Sequence, residues 1–294
     1  MQTARNSTED FSGLWIPLVT PFAHGEVDHA GLKRLVAHYQ GSGIAGLVVC
    51  GSTGEAAALD DDEQLAVLHT VTLQAPALRV VMGVSGYHLG KTTGRIKVLG
   101  DQGIAGILLP APSYIRPSQA GLLEWFTALA DASRVPVILY DIPYRTGSRI
   151  ELATLQALAA HPRIVAIKDC SGEPDKMRAL MADGQLQVLA GEDANILATA
   201  AAGGHGAIAA AAHVHTGRFV EILQRIKAGD ISGARALWTP LQPLIEALFA
   251  EPNPGPLKSL MAHQGLLRNE LRSPMTAASA VLAERLRQLD ALVL

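Results

Sequence analysis

The chain is poor in several things, and each shortage removes a class of protein. It has only two cysteines in 294 residues, Cys50 and Cys170. Two thiols cannot build a disulfide scaffold, and no Cys/His spacing suits a zinc site, so no metal is expected. Charged residues make up 17% and the net charge is −3, with no basic block and no interleaving of aromatic and basic residues. Nucleic acid is therefore not expected as a partner. No apolar run reaches about 18 residues, so no membrane span is expected. Residues 1–10 are polar without an apolar core, which reads as a tail and not a signal peptide. A cytoplasmic location follows as the expectation. No G-x-G-x-x-G follows the first apolar run, and no G-x-x-x-x-G-K-[ST] occurs anywhere, so neither nucleotide-binding turn is present.

What remains is a chain with 49% hydrophobic residues, enough for a large packed core. Its length fits one α/β barrel or two ordinary domains. Short apolar runs begin near 14, 44, 80, 106, 137, 164, 187 and 207, and amphipathic stretches separate them. The spacing of roughly 20–35 residues matches a strand, a crossover helix and two loops. Eight such units close a (β/α)8 TIM barrel, expected over 11–229. The remainder, 230–294, is helical in pattern: Ala234–Phe249, Leu257–Leu267 and Thr276 onward, with a Pro-rich linker at Glu251–Pro256. It is expected to be an appended C-terminal helical bundle. An open doubly wound sheet is the rival, and it lacks its Gly-rich turn.

The most informative run is Ile164–Val165–Ala166–Ile167–Lys168–Asp169–Cys170, broken by Ser171–Gly172. A lysine here ends an interior strand, where an ammonium is costly to bury. Burial favours the neutral amine, and a neutral amine can form a Schiff base with a carbonyl. The plainer alternatives are a lysine that snorkels outward or pairs with Asp169.

A barrel places its chemistry at the carboxyl ends of its strands. That rule collects Ser52 and Thr53 in the Gly51–Glu55 loop, Tyr114 in the Pro110–Pro117 loop, Tyr140 at the end of the fifth strand and Arg145 beyond it. Tyr140 and Lys168 are one β/α period apart, which puts them on neighbouring strands. A phenol beside an amine can move the protons of imine chemistry; alone, Tyr140 could equally be a core tyrosine. Ser52–Thr53 offers backbone N–H groups and two hydroxyls suited to a carboxylate, or it is an ordinary βα turn. Arg145 offers a planar fork for a carboxylate, or it is a surface or salt-bridging arginine. His213-x-His215 lacks a neighbouring acidic cluster and reads as two rim histidines. Cys170 reads as structural, or as an alkylatable thiol at the barrel mouth.

Gly51-Ser52-Thr53-Gly54-Glu55, Tyr140-Asp141-Ile142-Pro143-Tyr144-Arg145-Thr146-Gly147 and Ile167-Lys168-Asp169 fall in order at barrel spacing. So do Tyr114-Ile115-Arg116-Pro117-Ser118 and Glu251-Pro252-Asn253-Pro254. The ordered set, from Gly13 to about Thr276, resembles the dihydrodipicolinate synthase/N-acetylneuraminate lyase family of pyruvate-dependent class I aldolases. The resemblance implies that Lys168 forms an imine with pyruvate and that no other cofactor is needed. It also implies a proton relay of Tyr140, Ser52 and a Tyr114 donated by a neighbouring subunit. Thr53 and the backbone around Ile208 would hold the pyruvate carboxylate, with Gly191 among the substrate-binding residues.

An arginine in the Y-x-x-P-x-R-T-G loop resembles the synthase branch, in which it binds the carboxylate of aspartate semialdehyde. The expected reaction is condensation of pyruvate with L-aspartate 4-semialdehyde, on the route to diaminopimelate and lysine. The alternatives are a sister aldolase or lyase acting on another 2-keto acid, and a non-catalytic keto-acid-binding paralogue. The resemblance also implies a homo-oligomer, a tetramer built as a dimer of dimers. Ser52 stands where the family has threonine, and Asp141 where it has asparagine. At the places where lysine-sensitive relatives bind their inhibitor the chain has Ala56, Asp61, Gln64, Tyr87, Lys91 and Ser113, so lysine is expected to have little effect.

Overall fold

A computed structural model describes residues 9–293. Eight parallel strands close into a barrel in the order β1-β10-β9-β8-β7-β6-β5-β4. They are β1 (Gly13–Pro17), β4 (Gly46–Val49), β5 (Arg79–Gly83), β6 (Gly106–Pro110), β7 (Val137–Asp141), β8 (Ile164–Asp169), β9 (Gln187–Ala190) and β10 (Gly206–Ile208). A two-stranded antiparallel sheet, β2 (Phe22–Ala23) with β3 (Glu26–Val27), follows β1. That hairpin had no legible signal, because two-residue strands carry no periodicity.

Between strands run α1 (His29–Tyr39), α2 (Asp61–Gln74), α3 (Leu89–Leu99), α4 (Gln119–Ala132), α5 (Pro143–Thr146), α6 (Leu152–Ala159), α7 (Pro174–Asp183) and α8 (Ile196–Ala201). After β10 come α9 (Thr216–Lys227), α10 (Ile231–Trp238), α11 (Gln242–Leu248), α12 (Gly255–His263) and α13 (Ala280–Leu292). Local chemistry sets many of the starts. Asp28, Asp60, Ser118, Asp230 and Ser279 each accept a first-turn N–H, and Asp60 with Glu63 completes a capping box. The expected single helix over Ala234–Phe249 is instead α10, a 3-10 turn at Thr239–Leu241 and α11. Pro240 and Pro243 remove two N–H donors there, so one continuous α-helix cannot form.

The chain divides into two compact units, Gly13–Val80 with the residues from Ile208 onward, and Val81–Ala207 with the segment ending at Ser12. In the second, β7 and β8 are buried along their whole length. Fully buried strands are those covered on both faces, which explains their unbroken apolar runs. In the first, β1 pairs with β4, and Trp15, Tyr39, Phe22 and Phe219 are its largest fully buried aromatic side chains.

Candidate active site

The two units each carry a group of candidate side chains. In the unit that holds Val81–Ala207, β7 and β8 pair in register with Tyr140 opposite Lys168 and Asp141 opposite Asp169. Residues along a strand alternate faces, so Tyr140 and Lys168 share one face and the two aspartates the other. The Lys168 amine stands 4.3 Å from the centroid of the Tyr140 ring, and both side chains are buried. Burial pushes the Lys168 amine below the usual lysine range. The acidic side chains of Asp193 and Glu192 work against that shift, and Arg145 adds to it. A lysine that snorkels outward is ruled out by its 5% exposure. Pairing with Asp169 is not what forms either: Asp169 turns to Lys176, 3.7 Å away.

Gly191, after β9, is a glycine for a packing reason. A Cβ there would stand 2.5 Å from Cys170 Sγ and 2.8 Å from Lys168 Cγ. The Lys168 side chain thus occupies the space that any larger residue would need. The Cys170 thiol is 4.0 Å from the Tyr140 hydroxyl, and burial pushes its pKa well up. A thiol held protonated this firmly is structural, not reactive.

Asp141 is fully buried. Its carboxylate accepts the Ile150 N–H at 3.1 Å and the Lys176 ammonium at 2.6 Å. Lys176 is buried as well, with Glu173 3.7 Å from it. Burial raises the Asp141 carboxyl and holds Asp169 up at about 6, in both cases against the pull of Lys176. Sequence reasoning passed over Lys176, which reads as an ordinary helix lysine. The available signal was its place beside Met177 and Leu180 on the buried face of α7.

Arg145 lies in the short helix α5 and not in a loop, since Pro143 opens a turn and Gly147 ends it in the left-handed conformation. Among the described residues it forms no ion pair, so the salt-bridging alternative falls. Its guanidinium carbon stands 5.9 Å from the Tyr144 ring centroid. Tyr114 has positive φ (77°) and is 92% exposed, barely touching its own chain.

In the other unit, Cys50 and Glu55 both adopt left-handed backbone conformations and bracket the hydroxyl loop. Ser52 is exposed and Thr53 buried. Thr53 Oγ1 accepts a hydrogen bond from Asn253 Nδ2 at 3.0 Å, and Thr20 donates to the Gly54 carbonyl at 2.7 Å. Glu55 forms a buried ion pair with Lys258 of α12. Lys258 also donates to the Glu270 carbonyl at 3.0 Å. Ile208, fully buried, ends β10. The E-P-N-P segment, read from sequence as a linker, thus supplies a direct hydrogen-bond partner to Thr53.

His213 accepts the Val19 N–H at Nε2 and bonds the Ala210 carbonyl through Nδ1. Burial lowers its pKa to about 4, so it is a neutral structural histidine. His215 bonds Asp290 at 2.8 Å. Among the described residues no group of three or more His, Cys, Asp or Glu side chains could hold a metal ion. None of the described helices is long and apolar enough to cross a membrane.

A parallel eight-stranded barrel with a buried lysine at the end of one strand and a tyrosine opposite it on the next has the architecture of the lysine-centred barrel aldolases. The model of the dihydrodipicolinate synthetase family matches residues 10–291. The chain is 36% identical over 280 residues to 4-hydroxy-tetrahydrodipicolinate synthase 2 of Clostridium acetobutylicum, covering 94% of this chain and 98% of that one. The dihydrodipicolinate synthase of Acinetobacter baumannii, solved in complex with pyruvate, superimposes with a TM-score of 0.93 at 30% identity, covering 96% of this chain and 99% of that one. A monomeric dihydrodipicolinate synthase variant gives 0.93 at 28% identity over 96% of this chain and 97% of that one. The chain belongs to the dihydrodipicolinate synthetase family.

Proposed function

We propose that the protein is a 4-hydroxy-tetrahydrodipicolinate synthase, condensing pyruvate with L-aspartate 4-semialdehyde through an imine on Lys168. The observation that carries this reading is the buried Lys168 amine, held below its usual pKa beside the Tyr140 ring. A neutral amine attacks the pyruvate ketone carbon, and loss of water leaves a protonated imine. That imine acts as an electron sink: loss of a C3 proton gives an enamine, whose carbon attacks the aldehyde and turns its oxygen into a hydroxyl. The Tyr140 hydroxyl moves the protons, in relay with Ser52 and with Tyr114 of a neighbouring subunit. Thr53, Gly191 and the backbone at Ile208 receive the pyruvate carboxylate. Arg145, free of ion pairs among the described residues, receives the carboxylate of the aldehyde. No further cofactor enters this scheme, because the imine supplies the electron sink. The working form is a homo-oligomer, a tetramer assembled as a dimer of dimers, in the cytoplasm.

Sodium borohydride added with pyruvate tests the mechanism. Peptide mass spectrometry should find a reduced three-carbon adduct on Lys168 and none in Lys168→Ala. An unlabelled Lys168 in folded protein would remove the imine from the reaction.

A further inference from the structure

The loop Gly51–Glu55 and the segment that leads into α12 meet at two points, both buried. Asn253 Nδ2 donates to Thr53 Oγ1 at 3.0 Å, and five residues further on Lys258 forms its ion pair with Glu55. Thr53 is 4% exposed and Asn253 9%. Two contacts at once fix the segment along the loop, so the Asn253 amide cannot slide away from Thr53. The loop is pinned from its other side as well. Thr20 Oγ1 donates to the Gly54 carbonyl at 2.7 Å, and the Glu55 N–H donates to the Ser52 carbonyl at 3.2 Å. A Cβ on Gly54 would stand 2.9 Å from the Leu18 carbonyl oxygen, so the loop already lies as close to the chain after β1 as a backbone can.

The bond between Asn253 and Thr53 has a polarity. An amide nitrogen only donates, whereas a hydroxyl carries one proton and two lone pairs. Thr53 Oγ1 accepts from Asn253, so its own proton is left for another acceptor, and among the described residues none takes it. A buried donor without an acceptor is costly, and a carboxylate oxygen is the strongest acceptor that a small keto acid offers. The branched Cβ of threonine also limits the positions that its oxygen can take. We propose that Asn253 is a positioning residue: its amide turns the Thr53 hydroxyl so that the proton, and not a lone pair, meets the pyruvate carboxylate. This rests on the reading of Thr53 as a residue that receives that carboxylate. Asn253 acts through Thr53 and not on the substrate. A hydroxyl without such a partner presents donor and acceptor alike, and a lone pair turned toward a carboxylate repels it.

Borohydride trapping tests this without any aldehyde. The pyruvate concentration that half-labels Lys168 is read by peptide mass spectrometry at pH 8 for the wild type, Thr53→Val, Asn253→Asp and the double variant. Thr53→Val should raise it by about tenfold to a hundredfold, as loss of one charge-assisted bond predicts. Asn253→Asp keeps the side-chain shape but only accepts, so it draws the Thr53 proton to itself and should raise the concentration by at least as much. Beside Thr53→Val the same change should add much less, because no hydroxyl remains to be turned. A rise of equal size in both backgrounds would mean that the new charge or a displaced loop acts on pyruvate directly, and that overturns the proposal. Asn253→Ala adds no charge and frees the hydroxyl to rotate; it should raise the concentration by about threefold to tenfold, again only where Thr53 is present. Should Asn253→Asp not fold, the alanine variant decides in the same way. The failures separate. An unlabelled Lys168 in the wild type removes the imine reading, and an unmoved Thr53→Val removes the carboxylate reading of Thr53. A moved Thr53→Val beside unmoved Asn253 variants defeats the positioning role alone.

Discussion

Lys176→Met should be among the most damaging substitutions in the chain that leave Lys168 untouched. The Lys176 ammonium lies 2.6 Å from Asp141 and 3.7 Å from Asp169, and all three side chains are buried. Asp141 and Asp169 sit opposite each other in register, one residue beyond Tyr140 and Lys168. Without the ammonium, two buried carboxyl groups face each other at the strand ends that carry Tyr140 and Lys168. Breaking a buried pair by removing one partner costs about 3–5 kcal/mol, because the remaining charge has lost both water and its partner. Replacing both members by neutral groups costs far less, since the desolvation of the pair nearly cancels its attraction. Asp141→Asn, which restores the residue of the family pattern, should therefore rescue Lys176→Met. The coupling energy in the cycle should be about 1–3 kcal/mol.

The penalty also has a sign in pH. Burial raises the Asp141 carboxyl in the folded state. The folded form of Lys176→Met thus keeps a proton that the unfolded chain releases near pH 4, and stability falls as pH rises from there. Urea unfolding of the four proteins at pH 5 and pH 8 reads both effects. A loss below about 1 kcal/mol for Lys176→Met, or no rescue by Asp141→Asn, would refute the argument.

Three further outcomes follow from the same structure. Asp169 has its folded pKa raised to about 6 by burial, so it should withdraw about 3 kcal/mol of stability as pH rises from about 4 to about 6. Asp169→Asn should abolish that part of the slope, and an identical pH profile for the variant would contradict it. Tyr114 is almost wholly exposed in its own chain, so mixing Tyr114→Phe with Tyr140→Phe subunits should partly restore activity through hybrid oligomers. A fully active monomer in light scattering would exclude that sharing. Millimolar L-lysine should barely inhibit: by the family resemblance Lys91 would bring an ammonium to the place where a carboxylate holds the inhibitor in lysine-sensitive relatives, and Gln64 spends its amide on the Ala56 and Leu59 carbonyls at 3.0 Å. Strong, saturable inhibition in a steady-state assay would show that other residues bind lysine.

The barrel and the placement of Tyr140 opposite Lys168 were legible in the sequence, because they rest on short-range patterns. Parallel strands covered on both faces must be apolar along their length, so Ile164–Lys168 and Val137–Tyr140 announce themselves. The recurrence of strand and helix at one period then orders them around the barrel, and a lysine at the end of such a run is conspicuous because burial penalises it. The same logic placed Tyr140 on the neighbouring strand, where the register puts it opposite Lys168. Helix starts were legible wherever a side chain caps its own turn, as Asp28 and Ser118 do.

Partners distant in sequence were not legible. Asn253 meets Thr53 across 200 residues, Lys258 meets Glu55 from α12, and Lys176 meets Asp141 across 35. No period or spacing connects such residues; only closure of the chain decides which charge is buried beside which. By itself the sequence determined which residues must lie on buried strands and where Lys168 ends one of them, since hydrophobic burial acts along each segment. The tertiary structure alone decided which groups neutralise, orient or leave open the charges around that lysine, since electrostatic partnership acts through space.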